Sequence, residues 1–120
     1  MQRKASKTTR GENAIEKRVR KFVAGLGKCS ACGMYGPIEV HHVVGSAGKK
    51  KLLAYGTVII GMIFLLALCA KCHCMVSRKK KVFYRKYGTQ RALFFKQMDQ
   101  CSFLDEIPEE VMEGINQSGV

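Results

Sequence analysis

At 120 residues the chain is long enough for one modest core and too short for two independent ones. Its 21 Lys and Arg against 9 Asp and Glu give a net charge of +12, which points to a polyanionic partner, nucleic acid above all, and away from a cation-collecting surface. Six cysteines behind a start, "MQRKASKTTR", that lacks an apolar run read as metal ligands or free thiols in a reducing cytoplasm rather than as disulfides.

The charge is also segregated. Residues 1–98 carry every basic side chain but only Glu12, Glu16 and Glu39 as acids, whereas 99–120 carry Asp99, Asp105, Glu106, Glu109, Glu110 and Glu113. The division expected is a flexible basic arm over 1–11, a domain over 12–98 and an acidic tail over 99–120. Within the domain, "NAIEKRVRKFVAGLG" places Ile15, Val19, Phe22, Val23 and Leu26 on one stripe of an amphipathic helix. Gly25 and Gly27 end it. "KCSACGMYG" is a tight C-x2-C-G turn, and Gly36-Pro37 launches a short strand, "IEVHHVV". A polar loop, "GSAGKKK", follows. Further on, "SRKKKVFYRKYG" is strongly basic, "TQRALFFKQM" predicts a helix with Leu93, Phe94 and Met98 inward, and "IPEEVMEGINQSG" predicts a short acidic helix or a loose tail after Pro108.

Between these lies an uncharged run, Leu52 to Ala70, "LLAYGTVIIGMIFLLALCA". Its length reaches that of a membrane-spanning helix, and lysines flank both ends. Gly56, Thr57 and Gly61 nevertheless divide it into pieces of strand length. It also separates two cysteine pairs, Cys29/Cys32 and Cys69/Cys72. If both pairs hold one ion, the ends of the run must meet, which a straight helix of about 28 Å forbids. The soluble reading, without a membrane, is therefore the leading one, and a basic membrane protein spanning at 52–70 is the last alternative. Four thiolates in two C-x2-C pairs suit tetrahedral zinc, because each turn aims both sulfurs at one ion. Such a zinc is worth roughly 10 kcal/mol or more of folding. Cys74 and Cys101 stand outside the pairs.

A zinc-stapled turn, a strand ending in His41-His42, a loop, and then "LCAKCH" opening a helix with His73 form a recognisable layout. On "CSACGMYGPIEVHH", "GTVIIGMIFLLALC", "LCAKCH" and the following "YGTQRALF", the chain resembles the HNH endonucleases over about residues 28–98. Within them it is most similar to the small phage-borne group related to the recombination-enhancement, RecA-dependent nuclease. The resemblance implies a small α+β, zinc-stabilised ββα-metal (His-Me finger) domain with flanking helices. It implies a DNA endonuclease working in phage or prophage recombination, with a recombinase filament as a further partner. Carried over, His41 and His73 are ligands of a catalytic Mg2+ or Mn2+, and His42 is the general base. Imidazole suits that role because it titrates near neutrality. Lys49, Lys50 and Lys51 and the run Arg78, Lys79, Lys80, Lys81 are expected to contact DNA phosphates, on duplex or single strand. Two positions depart from the family: Ser77 stands where a further ligand lies one helical turn after Cys-His, and Met62 stands where relatives have histidine. A thioether is a poor ligand for a hard cation. The alternative is therefore a catalytically weak nucleic-acid-binding module on the same scaffold.

Overall fold

The computed structural model describes residues 14–44, 54–55 and 58–120. The basic arm and Lys49, Lys50 and Lys51 lie outside the described residues. The elements run α1 (Ala14–Ala24), β1 (Glu39–His42), β2 (Ala54–Tyr55), β3 (Val58–Ile59), β4 (Leu65–Leu68), α2 (Ala70–Arg78), α3 (Lys80–Tyr87), α4 (Gln90–Met98) and α5 (Glu109–Asn116). This is a small α+β domain of five helices around an antiparallel strand pair, among the described residues.

The predicted stripe of α1 faces inward: Val19 and Val23 are fully buried, with Ile15, Phe22 and Leu26 packed beside them. Glu16, in the first turn, is buried as well, a placement the apolar periodicity does not announce. The uncharged run does not form one helix. Its described parts are the β2–β3 hairpin, a 3-10 turn over Ile60–Met62 and the strand β4. No helix of the described residues is long and apolar enough to cross a membrane.

β4, "LLAL", is the centre of the molecule, with all four residues buried. A strand covered on both faces must be apolar throughout, which is why its sequence lacks alternation. β1 pairs antiparallel with it, Glu39 opposite Leu68 and His42 opposite Leu65. α1 and α4 pack against β4, and Phe64 and Phe94 meet edge to face with centroids 5.2 Å apart. The edge of β4 away from β1 is closed without another strand. The Ser30 N–H donates to the Ala67 carbonyl at 2.7 Å. Gln97 of α4 takes the Ala67 N–H on Oε1 at 2.9 Å and donates Nε2 to the Leu65 carbonyl, also at 2.9 Å. One buried amide thereby stands in for a strand.

The acidic segment 99–120 folds onto the same core. Phe103, Ile107, Val111 and Ile115 are buried, and α5 packs on the 3-10 turn, with Gly114 against Ile60. Arg18 lies 4.1 Å from the centroid of the Phe103 ring and pairs with Glu106.

Candidate metal centres

The first cysteine pair sits on a turn that only particular residues permit. Gly33 has φ of 79°, a left-handed conformation that costs glycine little, and its N–H donates to the Cys29 carbonyl at 3.0 Å. The Cys29 N–H donates to Met34 O at 2.9 Å, and the Cys32 N–H reaches Cys29 Sγ at 3.4 Å. The second pair comes from the junction of β4 and α2: Cys69 is the N-cap residue and Cys72 lies in the first turn.

The fold brings the four together. Their sulfurs lie within 4.8 Å of one another, with Cys32 and Cys69 at 3.9 Å. Tetrahedral zinc at about 2.3 Å from each sulfur sets neighbouring sulfurs about 3.8 Å apart, close to the Cys32–Cys69 separation, so the cluster is compatible with zinc. Among the described residues no other His, Cys, Asp or Glu group gathers so tightly. The electrostatics agree. Burial pushes Cys29 up, but the backbone N–H groups of Cys69, Cys32 and Ala31 outweigh it and bring this thiol down to about 7. Burial and the neighbouring thiols push Cys72 up; burial also raises Cys32, partly opposed by the Met34 backbone. The Cys29 thiolate forms readily while Cys32 and Cys72 resist joining it, a conflict that a bound dication removes. Tyr87 of α3 also reaches this cluster: burial raises its phenol, and Cys72 adds to the effect. Cys74 is exposed and Cys101 buried, both apart from the cluster.

The histidines form a second grouping. Side chains alternate along a strand, so Glu39 and His41 share one face of β1 and His42 takes the other. Successive residues on a helix turn by about 100°, so with Cys72 facing the thiols, His73 turns toward β1. His73 Nδ1 lies 2.5 Å from Glu39 Oε1, and the His41 and His73 rings meet edge to face, centroids 4.9 Å apart. His41 Nε2 donates to Gln90 Oε1 at 2.8 Å; Gln90, itself buried, donates Nε2 to the Tyr84 hydroxyl at 3.0 Å. Burial lowers the His41 pKa; the Gln90 contact opposes this, and the charges of His73, His42 and Lys80 reinforce it.

The predicted ligands His41 and His73 are thus neighbours. His42 is exposed at the end of the ladder, within electrostatic reach of His41 but on the opposite face. Ser77 is exposed on α2 and Met62 is half-buried in the 3-10 turn. Arg78, Lys79, Lys80 and Lys81 are all exposed where α2 gives way to α3. Sequence reasoning passed over Glu39, Gln90 and Tyr84. Glu39 was findable, two residues before His41 on the same strand face. Gln90 and Tyr84 carry no local signal. Compared with known proteins, the chain matches no protein-family model, no curated protein and no solved structure.

Proposed function

We propose that the protein is a metal-dependent DNA endonuclease of HNH type, with β1, β4 and α2 as the ββα-metal finger. The reading includes the setting that the resemblance implies: phage or prophage DNA recombination in the bacterial cytoplasm, alongside a recombinase filament. The observation that carries it is the meeting of His41 and His73 with their outer nitrogens held. Because Nε2–H of His41 is taken by Gln90 and Nδ1–H of His73 by Glu39, the lone pairs of the neutral rings lie on Nδ1 of His41 and Nε2 of His73. Histidine ligands of metals are ordinarily fixed in this way by a partner behind them.

On this reading the pair would hold a divalent cation with open positions for water and phosphate. Mg2+ or Mn2+ there would polarise the scissile phosphate and steady the leaving oxygen. With imidazoles as the protein ligands, Mn2+ is favoured over Mg2+. In this reading His42, on the other face at the exposed end of β1, would reach round the strand end to take a proton from water; the water oxygen bonds to phosphorus while the ester P–O bond breaks, and the leaving oxygen takes a proton from solvent. The exposed Arg78–Lys81 run holds the flanking phosphates.

A second reading has its own observations. Ser77 and Met62 add no good ligand for a hard cation, and among the described residues only the four thiols form a compact ligand group. A binding module that does not cut would have these features. Cleavage decides between the two: supercoiled plasmid and single-stranded DNA, with Mg2+ or Mn2+, are treated with wild type and His42→Ala. Cutting that disappears in the variant supports the nuclease and assigns the base. DNA binding without cutting, equal in both proteins, overturns it in favour of the module.

A further inference from the structure

The outer side of the first cysteine knuckle borders a cleft of about 410 Å3 that the catalytic reading does not use. Lys28 and Tyr35 line it from the knuckle, and Lys96 of α4 and Gln100, just past that helix, line it from the other side of the chain. Lys28 and Tyr35 form an isolated antiparallel bridge, which sets their side chains next to each other; Lys28 Nζ is 5.5 Å from the centroid of the Tyr35 ring. Tyr35 is 80% exposed and its neighbour Met34 66%.

An aromatic ring left in water at the tip of a flexible loop would mean little. This one is carried on a pinned backbone. The Met34 carbonyl accepts from the Cys29 N–H at 2.9 Å, and the Gly36 N–H donates to Gly27 O at 3.1 Å. A ring carried on a backbone already held in place loses less entropy, when something covers it, than one on a mobile loop. Among the described residues no carboxylate lines the cleft, and two ammonium groups do. Zinc held by four thiolates would leave negative charge behind the knuckle. Of the four thiolates, Cys29 and Cys32 line the cleft and Cys69 and Cys72 do not; the ammonium groups of Lys28 and Lys96 line it too and face that charge with their own. An open aromatic face between cations suits a nucleobase and its neighbouring phosphates. Only an unpaired base offers a free face, so the ligand is single-stranded.

We propose that this cleft binds a nucleotide of a single-stranded DNA segment, with Tyr35 stacking on the base and Lys28 and Lys96 holding the phosphates on either side. The proposal rests on the nucleic-acid reading above and is independent of catalysis. Binding by the full-length, zinc-loaded protein is measured by fluorescence anisotropy, without added Mg2+ or Mn2+. The probes are a fluorescein-labelled thymidine oligonucleotide, an abasic strand of the same length and a duplex. Tyr35→Ala should weaken the thymidine strand roughly 5- to 150-fold, leave the abasic strand and the duplex within about twofold, and leave zinc content unchanged. Tyr35→Phe should bind like wild type. Lys28→Ala and Lys96→Ala should weaken the thymidine and abasic strands alike. Equal thymidine binding by wild type and Tyr35→Ala overturns the proposal, as does an equal loss on the abasic strand. Either result in a protein that still cuts leaves the nuclease reading standing. A Tyr35 effect in a protein that never cuts leaves the stacking site standing, and failure of wild type to bind any of the three probes overturns both.

Discussion

The imidazoles of His41 and His73 meet edge to face at 4.9 Å, one carried by a strand and the other by a helix, and each is held from behind by a different acceptor. For His41 the acceptor is Gln90, an amide buried between the imidazole and the Tyr84 hydroxyl. Truncating it frees the ring to turn and lets the other tautomer form. Gln90→Ala should therefore weaken Mn2+ binding about 10- to 100-fold, as loss of such outer partners commonly does. The check is Mn2+ titration followed by electron paramagnetic resonance, with zinc content measured in parallel. A loss of zinc as well would mean that the substitution acted on the fold and not on the histidine pair.

The thiol cluster makes a sharper stability prediction. It joins the first knuckle to the junction of β4 and α2, and Ser30, inside that knuckle, also closes the edge of β4. Removing the ion should release the knuckle from the central strand. Purified protein should hold about one zinc, and chelation should lower the melting temperature steeply, in keeping with roughly 10 kcal/mol or more of metal-coupled folding. Cys72→Ser should lose the zinc. Cys74→Ser and Cys101→Ser should keep it, because neither sulfur belongs to the cluster.

Gln97 is the other closure of β4. Its side chain accepts from the Ser30 hydroxyl at 2.7 Å, a part-buried contact, and makes two buried ones, accepting from the Ala67 N–H and donating to the Leu65 carbonyl. Gln97→Leu keeps the volume and strands one backbone donor and one backbone acceptor. Each orphaned group costs about 1–3 kcal/mol, so the variant should lose about 2–6 kcal/mol in urea unfolding. A loss under 1 kcal/mol would mean that water or another group takes over the strand edge.

These cases show what the sequence could say and what it could not. The C-x2-C pairs announced themselves because a metal knuckle is a local device whose spacing is its geometry. The inward face of α1 and the apolar side of α4 were equally legible, since helical periodicity is local too. The contact between His41 and His73 required a resemblance, because nothing in either segment names the other. Gln97 and Gln90 were illegible for a deeper reason. A buried glutamine looks like a surface one until the strand edge or imidazole that it serves is in place. The uncharged run was ambiguous on composition alone, and only the need for its ends to meet at the thiols argued for strands.

Under the proposed nucleic-acid reading, the basic run at the α2–α3 junction makes a prediction for salt dependence. Lys80 and Lys81 occupy the first turn of α3, where the helix dipole disfavours cations by about 0.3–1 kcal/mol each. An anionic ligand turns that cost into attraction. If about six cations in all engage phosphates, the log-log salt slope on duplex DNA should be near −5, and replacing both Lys80 and Lys81 with alanine should reduce its magnitude by about 2. An unchanged slope would place these lysines on an idle, solvated face.

His41 also sets a pH dependence. Burial is the largest influence on its pKa and lowers it from the ordinary 6.5; the Gln90 hydrogen bond raises it, and the neighbouring charges of His73, His42 and Lys80 lower it further. The folded protein therefore binds this proton less tightly than the unfolded chain does. Between the lowered folded value and the unfolded value near 6.5 the unfolded state carries more protons, so stability rises with pH across that window. The contribution is fully present above the unfolded value and is lost as pH falls through the folded one. The melting temperature of zinc-saturated wild type should accordingly drop more on acidification below about pH 6.5 than that of His41→Gln, which cannot titrate there. Proton NMR of the imidazole should place the His41 midpoint below 6.5. A midpoint at or above that value, with parallel melting profiles for the two proteins, would mean that His41 is open to water and that Gln90 does not hold it in a buried, neutral form.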